Sequence, residues 1–405
     1  MLRSILSTYR EAFSGLSRAV WLLALATLVN RSGTMVLPFL VLYLTQKQGF
    51  ETADAGWALG IYGLGGVLGS YLGGWLCDRM PARRVMVATL SLSGIGFIIL
   101  GQLGSRPAIL VTIFFLAVMG EGFRPANAAA VAAATSPELR TRAFALSRLA
   151  INLGMSLGPS IGGFLAMVSY DWLFLVDGAT CLLAAAVLAV AFHSEDGKAA
   201  ADTTISAEPV RSPWRDRPFL AMMGLCFLMA LITFQIPSTF PLTLRDLYGF
   251  KEGHIGLVLA VNTVIIVLFE MVLVHRVAGL NPLRVVGVGG LLFGLGMALL
   301  PFGTGFAFAA FSVVVWTVGE MLAFPIVAGA VANRARDANR GLYMGIFTLS
   351  FEGAWVFSPI LGTWVYQVYG AKALWTACGV AGVILLVGFY GVAAAVKREG
   401  PARTL

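Results

Sequence analysis

The sequence predicts an all-α membrane protein with twelve transmembrane helices, built as two six-helix bundles. Three observations indicate this class. The 405 residues are 58% hydrophobic and only 12% charged, about half the charged share of an ordinary soluble domain. The apolar residues form long segments, each close to a membrane thickness at about 1.5 Å per helical residue. The second half of the chain also repeats features of the first at a spacing of about 200 residues.

The internal repeat is visible in residues whose types are unusual inside apolar segments. Parallel repeats of this kind are typical of secondary transporters. The matching positions are Gly120-Glu121 near Gly319-Glu320, Arg140 with Arg340, Pro159 with Pro359, and the row Gly154, Gly158 and Gly162 with Ala354, Ser358 and Gly362.

The domain organisation follows from the apolar segments and the polar stretch between their two groups. We expect a cytoplasmic amphipathic segment over 1–18, six-helix bundles over 19–193 and 217–396, a cytoplasmic linker over 194–216 and a cytoplasmic tail over 397–405. A disordered basic tail is the alternative for the first segment. The twelve apolar segments fall near 19–45, 54–77, 85–104, 108–134, 143–168, 172–193, 218–244, 254–274, 284–303, 305–332, 341–367 and 371–396.

The distribution of basic residues predicts the orientation. Twenty of the 28 Lys and Arg lie in one set of alternate loops, which includes both termini and the central linker. Cytoplasmic loops carry this excess, so both termini are expected on the cytoplasmic side of a bacterial-type inner membrane. The net charge of +8 is therefore explained by the basic loops on one side of the membrane, and we expect no nucleic-acid partner.

The composition also argues against several chemical functions. Cys77, Cys181, Cys226 and Cys378 are scattered, without a CxxC or Cys/His cluster, so neither a disulfide framework nor a metal site is predicted. The apolar segments contain no nucleophile paired with a base at bilayer depth. We therefore expect a protein that is not an enzyme and that uses no cofactor.

Charged residues in the middle of apolar segments are the candidate functional groups. Such residues cost about 2.5 to 3.5 kcal/mol each on insertion scales, so they usually face a cavity. We expect Glu121 and Glu320 to bind protons, and Arg31 and Arg124 to set their proton affinity, with Glu352 as a further candidate. The alternative is a fixed Arg31–Glu121 ion pair that locks the first half together.

Other ionisable residues lie nearer the ends of their segments. We expect Asp177 and Arg148 to snorkel toward the interface or to fix helix ends. His193, His254 and His275 lie at segment ends or in loops, which argues against a histidine proton relay.

The loop from Gly74 to Arg84 has the sequence GWLCDRMPARR. It resembles the signature G-x-L-x-D-R-x-G-R-K of the major facilitator superfamily, although Pro81 and Ala82 replace its Gly and first basic residue. Asp78, Arg79 and Arg83 match it. A carboxylate at the cytoplasmic end of a helix seeks a basic partner or a helix N-terminus. These three residues are therefore a candidate conformational latch, with a solvated turn that only fixes topology as the alternative.

The second motif is a row of small residues in the fifth segment. Gly154, Gly158, Pro159, Gly162 and Gly163 resemble the motif of the drug–proton antiporter branch of that superfamily. Residues at four-residue spacing share one helix face, and glycines there allow a neighbouring helix to pack closely. In the resembled antiporters this face seals the halves together on the external side. A purely structural helix crossing is the alternative.

The resemblance implies a monomer whose first, fourth, seventh and tenth segments line a central cavity. The expected partners are a small-molecule substrate, protons and membrane lipid. The residues that we expect to line this cavity are Asn30, Arg31, Glu121, Gln235, Phe234, Trp316 and Glu320.

The function predicted from these features is secondary active transport by alternating access, with proton-coupled efflux of small lipophilic or cationic compounds. Three alternatives stay open at this point. The first is a proton-coupled uptake symporter for a sugar, a peptide or an organic anion, because Arg31 and Arg124 are positive. The second is a lipid flippase. The third, a receptor on the same fold, would be expected to carry long soluble extensions.

Overall fold

A computed structural model describes residues 15–77, 79–135, 139–192, 213–277, 279–334 and 340–399. Within these ranges the regular structure is helical, with no β-strand. Most of the predicted amphipathic segment and of the linker, the end of the tail, and Asp78 of the candidate latch lie outside the described residues.

Seven helices are described before the central linker. The first apolar segment contains two of them, α1 and α2, and we refer to this pair as span one. Their bounds are α1 Arg18–Ser32, α2 Val36–Gln46, α3 Thr52–Cys77, α4 Ala82–Leu100, α5 Arg106–Ala133, α6 Arg140–Val168 and α7 Tyr170–Ala191.

Six helices follow the linker, and two of them divide the seventh apolar segment as α1 and α2 divide the first. The last helix contains one non-helical residue, Gly370, with φ 81° and ψ 168°, a left-handed φ that glycine adopts without steric cost. The bounds are α8 Arg217–Thr233, α9 Thr239–Asp246, α10 Glu252–Val277, α11 Pro282–Leu299, α12 Gly305–Arg334 and α13 Arg340–Arg398.

Helix length and composition confirm a polytopic membrane protein. Among the described residues, nine helical stretches are long and apolar enough to cross a membrane, and α8 is a shorter apolar helix. The nine include span one as a single stretch and the two apolar segments of α13 as another. The exact count of twelve spans stays a prediction.

The described helices pack as two compact units. Unit 1 contains the described parts of 1–39 and 61–201, and unit 2 contains those of 40–60 and 202–405. In unit 1, α4 packs against α5 and α7, and α1 packs against α6 and α7. In unit 2, α11 packs against α12 and α13, and α8 packs against α13. The predicted bundle limits, 19–193 and 217–396, stay a prediction.

Unit 2 includes the residues around the loop between α2 and α3. The Gln367 side chain accepts a hydrogen bond from the Ala53 backbone N–H at 2.8 Å and donates one to Glu51 at 3.3 Å. Nearby, Gly56 lies so close to α13 that a Cβ atom there would be 2.7 Å from the Pro359 carbonyl oxygen. Glycine at position 56 is therefore required for this close approach.

An ion cluster joins the start of α8 to the ends of α12 and α13 in unit 2. The Asp216 carboxylate accepts from the Phe219 N–H at the start of α8, from two Arg334 nitrogens at 2.8 and 2.5 Å, and from the Tyr343 hydroxyl at 2.9 Å. Arg334 also donates to Glu399 at 2.9 Å. The Arg334 and Asp216 side chains are only 5% and 8% exposed. Burial raises the pKa of Asp216, but the hydrogen bonds and charge of Arg334 outweigh it and hold that pKa below its usual value.

Replacing Asp216 by asparagine is expected to destabilise unit 2 by about 3 kcal/mol, because it leaves the buried Arg334 guanidinium with less compensation. A lowered carboxylate pKa stabilises the fold above the unfolded-state pKa, near 3.9, and this stabilisation is lost as pH falls through the folded-state pKa. Melting temperatures at pH 7 and pH 3 should therefore differ less in D216N than in the wild type. The exposed Asp171 on α7 supplies the control, D171N, and equal pH dependence in wild type and D216N would contradict the expectation.

The two described arginines of the candidate latch contact groups of unit 1. Arg83 donates from Nε to the Leu188 carbonyl at 3.2 Å and from Nη2 to the Ala189 carbonyl. A cation at a helix C-terminus is favourable, because the last carbonyls of α7 form the negative end of its dipole. Arg79 lies over the Trp75 ring at 3.9 Å and donates to the Trp75 carbonyl at 3.1 Å. The latch role stays a prediction.

Candidate functional site

Span one is interrupted between α1 and α2, and other helices of unit 1 pack tightly around the interruption. A Cβ atom on Gly33 would lie 1.7 Å from the Thr180 hydroxyl oxygen on α7. On α6, a Cβ atom on Gly154 would lie 2.5 Å from the Arg31 Cβ, and one on Gly158 would lie 2.7 Å from the Thr34 carbonyl oxygen. The small-residue face of α6 therefore contacts the break of span one.

Asp177 from α7 contacts the last residue of this break and the first residue of α2. Its Oδ2 accepts hydrogen bonds from the backbone N–H groups of Met35 at 3.3 Å and Val36 at 3.1 Å. The residue is 3% exposed. The sequence placed Asp177 near a segment end and expected it to snorkel or to fix helix ends. The structure buries it, and the helix end that it contacts belongs to α2 rather than to its own helix.

The charged groups predicted in the first half all lie in unit 1. Glu121 and Arg124 form an ion pair across one turn of α5, with Nη1 and Oε2 2.9 Å apart. The Arg124 side chain is 59% exposed and that of Glu121 is 18% exposed. Arg31 is partly buried, and its Nε has no hydrogen-bond partner among the described residues. The charge of Arg31 acts on Asp177.

Tyr62 on α3 lies within the electrostatic influence of all of these groups. The charges of Glu121, Arg31, Asp177 and Arg124 all act on its hydroxyl. One turn further along α3, a Cβ atom on Gly66 would lie 3.3 Å from the Glu121 Cγ, so this face of α3 approaches Glu121. We call Arg31, Tyr62, Glu121, Arg124 and Asp177 the N-half cluster.

Glu320 occupies a separate polar site in unit 2. Asn262 on α10 donates from Nδ2 to the Glu320 Oε2 at 2.8 Å and to the Thr317 hydroxyl at 3.0 Å. The charge of Glu270, also on α10, acts on Glu320. Glu320 therefore pairs with a neutral amide, whereas Glu121 pairs with an arginine. We call Asn262, Thr317 and Glu320 the C-half site.

Gln235 lies at the break between α8 and α9 and is buried. Its Nε2 donates to the Ser358 hydroxyl at 2.8 Å and to the Leu231 carbonyl at 3.2 Å, while its Oε1 accepts from the Thr239 hydroxyl at 2.8 Å. The structure thus places this predicted cavity residue in hydrogen bonds inside unit 2. Its contact with a substrate stays a prediction.

The remaining predicted site residues differ in their surroundings. Trp316 is buried against the Phe293 ring, with centroids 5.9 Å apart, and Phe234 packs edge-on against Trp355 at 4.2 Å. Asn30 is partly buried and donates to the Cys181 sulfur at 3.3 Å. Glu352 on α13 is also partly buried.

Tyr62, Asn262 and Thr317 are the site residues that the sequence did not single out. Asn262 is a strong polar group in an otherwise apolar stretch of α10, so a search for buried amides would have found it. Tyr62 gave no such signal, because a tyrosine inside a membrane helix is also typical of packing or of the interface. Only the helix packing shows its position beside Glu121.

The carboxylates and arginines in the membrane-spanning helices of this polytopic protein are typical of membrane transport proteins, in which such residues mark substrate or ion pathways. The sequence profile of the Major Facilitator Superfamily matches residues 22–351. The chain therefore belongs to the Major Facilitator Superfamily, which confirms the resemblance found in its motifs.

Curated relatives extend along most of the chain at low identity. The uncharacterized MFS-type transporter YqjV of Bacillus subtilis strain 168 is 27% identical over 382 residues, 90% of this chain and 91% of that protein. A Na(+), Li(+), K(+)/H(+) antiporter of Planococcus maritimus is 25% identical and aligns over 82% and 85% of the two chains. Multidrug resistance protein MdtH of Edwardsiella ictaluri is 24% identical, with 88% and 89% aligned.

Solved structures confirm the fold class. A peptide transporter POT in complex with sulfate superposes with a TM-score of 0.80 at 17% identity, covering 97% of both chains. The D323A mutant of the nucleoside transporter NupG gives a TM-score of 0.79 at 14% identity, covering 93% of this chain and all of that one. At these identities the likeness shows the fold alone.

Proposed function

We propose that the chain is a proton-coupled antiporter that exports small lipophilic or cationic compounds by alternating access. It would act as a monomer in a bacterial inner membrane, with both termini in the cytoplasm. Relatives named as a multidrug resistance protein and as a cation/proton antiporter support export in exchange for protons. The main structural support is the pair of membrane-embedded carboxylates, Glu121 and Glu320, and their different partners.

The C-half site suits exchange between a proton and a cation. The Glu320 carboxylate has a neutral amide partner, Asn262, so its negative charge is not cancelled by an adjacent basic side chain of this site. A proton or a cationic compound neutralises that charge, and the two therefore compete for one site. Competition of this kind is sufficient to couple export to proton entry, because each occupant must leave before the other binds.

The two helices that carry the C-half site also form an open apolar groove, which is lined by other residues and offers surface for a lipophilic compound. It lies between α10 and α12, has a volume of about 430 Å³ and is lined by Ile265, Phe269, Val318 and Met321 among others, with Arg276 from the last turn of α10. Val318 and Met321 flank Glu320 along α12, and Ile265 follows Asn262 by one turn of α10. This volume is in the usual range for small-molecule sites.

The N-half cluster argues against an anionic substrate at span one. In transporters with interrupted helices, the N-terminus of a half-helix often binds an anionic group of the substrate. Here the N-terminus of α2 is already capped by the Asp177 carboxylate. An organic anion would have to displace a carboxylate of the protein itself, which favours export of a cationic or neutral compound over uptake of an anion.

Everted membrane vesicles with an acidic interior test the proposal directly. Lipophilic cations, neutral lipophilic compounds, Na⁺ and K⁺ are added in turn, and the interior pH is followed with a fluorescent amine. We expect at least one lipophilic or cationic compound to release protons from vesicles that contain the protein, and a protonophore to abolish its accumulation. Proton movement with none of these compounds, or only with sugars, peptides or anions moving toward the cytoplasm, would overturn the proposal.

Replacing Glu320 by glutamine should remove the ionisable group while keeping the hydrogen bond from Asn262. Glutamine has nearly the same volume and accepts a hydrogen bond from Asn262, but it cannot bind or release a proton. We expect proton release on addition of a cationic compound to fall about tenfold or more, equivalent to about 1.4 kcal/mol or more of lost stabilisation. E252Q, at the first turn of α10, serves as the control. Transport by E320Q at the wild-type rate would exclude Glu320 as a proton carrier.

A further inference from the structure

Thr317 is a buried hydroxyl of the C-half site whose orientation is fixed within its own helix. It lies three residues before Glu320 on α12 and is fully buried. Its Oγ1 donates to the Val313 carbonyl oxygen at 2.6 Å, a bond that threonine makes in helices to the carbonyl four residues earlier. A hydroxyl has a single proton. Because this proton is shared with Val313, the Thr317 oxygen acts toward Asn262 only as an acceptor.

This acceptor determines which end of the Asn262 amide faces Glu320. A side-chain amide has a donor group, NH₂, and an acceptor oxygen. The Asn262 Nδ2 lies 3.0 Å from the Thr317 Oγ1 and 2.8 Å from the Glu320 Oε2, so its two protons are directed at two oxygens. Rotating the amide by half a turn would place its oxygen against the Thr317 oxygen, with no proton between them. Thr317 therefore holds Asn262 as a donor toward Glu320.

The same order of donors and acceptors recurs at the break between α8 and α9. Gln235 donates from Nε2 to the Ser358 hydroxyl, and that hydroxyl donates its own proton to the Leu231 carbonyl at 2.7 Å. In both places a backbone carbonyl takes the hydroxyl proton, and the hydroxyl oxygen then orients an amide. Asn262 differs because its second proton is directed at a carboxylate. The network at Glu320 thus follows a pattern that unit 2 uses twice.

The two carboxylate oxygens of Glu320 have different surroundings. Oε2 accepts the hydrogen bond from Asn262, whereas Oε1 has no hydrogen-bond partner in the part of the chain that the structure describes. Glu320 is also only partly buried. Protonating Oε2 would weaken the bond that it accepts, whereas protonating Oε1 would leave that bond in place. The two oxygens therefore differ in their ability to take a proton.

Groups from three helices surround this turn of α12. On α10, the charge of Glu270 acts on Glu320. On α11, Phe293 packs against the residues before and after Glu320. On α13, Phe351, the neighbour of Glu352, packs against the turn that follows. The charge that acts on Glu320 is therefore negative, so that its ionised form depends for stabilisation on the neutral amide of α10.

We infer that Thr317 and Asn262 are positioning residues for proton exchange at Glu320, and that the exchanged proton binds to Oε1. In the ionised state Asn262 donates to a carboxylate oxygen, Oε2, and in the protonated state it donates to the carbonyl oxygen of the acid, which is the same atom. A proton arriving from water forms an O–H bond at Oε1 and later leaves from that atom, so the network persists through the cycle. The inference rests on the proposed function, in which Glu320 exchanges protons.

The variants T317V and N262L test the two parts of this network. Valine has nearly the shape of threonine but offers Asn262 no acceptor, so the amide is able to turn its oxygen toward Glu320 and favour the protonated acid. We expect the midpoint of the pH profile of tetraphenylphosphonium transport in everted vesicles to move to higher pH by about 0.5 to 1 unit in T317V. N262L removes the donor altogether and should move the midpoint in the same direction by about 1 to 2 units.

Matched threonine variants separate orientation from packing. T317S keeps the hydroxyl on a smaller side chain and should retain the wild-type midpoint. T348V on α13 removes an exposed hydroxyl that makes the same kind of bond, to the Met344 carbonyl at 3.0 Å, and should also leave the midpoint unchanged. A midpoint that moves equally in T317V and T317S, or that does not move in folded N262L, would overturn the inference.

Infrared difference spectra of the purified protein test the assignment of Oε1 without transport. A protonated-carboxyl C=O band that appears on acidification and is missing in E320Q belongs to Glu320. In the wild type its carbonyl oxygen, Oε2, accepts from Asn262, and this hydrogen bond weakens the C=O bond. We expect the band to move to higher wavenumber in N262L and T317V and to stay in place in T348V. An unmoved band in N262L would overturn the assignment of the proton to Oε1.

The outcomes also distinguish this inference from the proposed function. If E320Q transports at the wild-type rate, the proposed function fails, and the infrared band alone then decides between the two oxygens. A wild-type spectrum without a band that E320Q removes would overturn the inference, because Glu320 then takes no proton in the tested pH range. If N262L does not fold, T317V supplies both measurements, and an unmoved midpoint together with an unmoved band in T317V would overturn the inference.

Discussion

Replacing Glu121 by glutamine is expected to lower proton-driven transport by at least tenfold while leaving the protein folded. The Glu121 carboxylate is paired with Arg124 across one helical turn and shares the field of Arg31 at Tyr62. Glutamine keeps the shape of the side chain but removes its ability to release a proton. A residue that must change protonation in every cycle cannot be replaced by a neutral isostere without stopping that cycle.

The measurement is accumulation of a lipophilic cation in everted vesicles, at interior-acidic pH and again after the pH difference has been collapsed. We expect E121Q to lose the component that depends on the pH difference and to retain exchange of labelled for unlabelled substrate. E252Q is the matched control, since it removes a carboxylate at the first turn of α10. Undiminished proton-driven accumulation by E121Q would show that Glu121 is a structural partner of Arg124 and no more.

Contacts that depend on spacing within a single helix are the part of the site that could be predicted from sequence. Glu121 and Arg124 are three residues apart, which places them on one face of a helix, and the structure pairs them. The resemblance in the fifth segment likewise identified Gly154 and Gly158 as a contact face. In both cases the information lies within a single helix, where residue spacing determines geometry.

Partners across helices could not be predicted in the same way. The sequence predicted span one as a single segment over 19–45, whereas the helix ends at Ser32, after the polar residues Asn30 and Arg31, and restarts at Val36. The position of Asp177 within its own segment suggested a helix end but could not show that the end belonged to α2. Asn262 and Glu320 are 58 residues apart in the chain, and only tertiary packing brings them together.

The helix breaks of the two units are held by different kinds of side chain. In unit 1 the α6 face that contacts the break is built from glycines, and the polar acceptor comes from α7. In unit 2 the matching position on α13 is Ser358, whose hydroxyl donates to the Leu231 carbonyl at 2.7 Å and accepts from Gln235. Because the hydroxyl satisfies backbone and side-chain groups locally, that break does not require a carboxylate. The two breaks are thus held differently, that of unit 1 by a carboxylate and that of unit 2 by neutral side chains.

Replacing Gly158 by valine is expected to destabilise unit 1 by about 1 to 3 kcal/mol, as other overpacking substitutions do, and to reduce transport to less than about one tenth. A Cβ atom at this position would lie 2.7 Å from the Thr34 carbonyl oxygen and 3.3 Å from that of Arg31. Both are backbone atoms of the span-one break, so no side-chain rotation can relieve the clash. The break must move, and Arg31 moves with it.

Melting temperature and transport should therefore fall together in G158V, and G158A should give an intermediate result. The control is G224V on α8, where a Cβ atom would have no heavy atom within 4 Å, so any effect common to both variants is due to the valine itself. If this face serves only to seal the two halves, as in the resembled antiporters, substitution should change transport without lowering the melting temperature. A combined loss would instead indicate that the glycine face determines the shape of span one. Span one can approach the α6 backbone this closely only where α6 has no side chain.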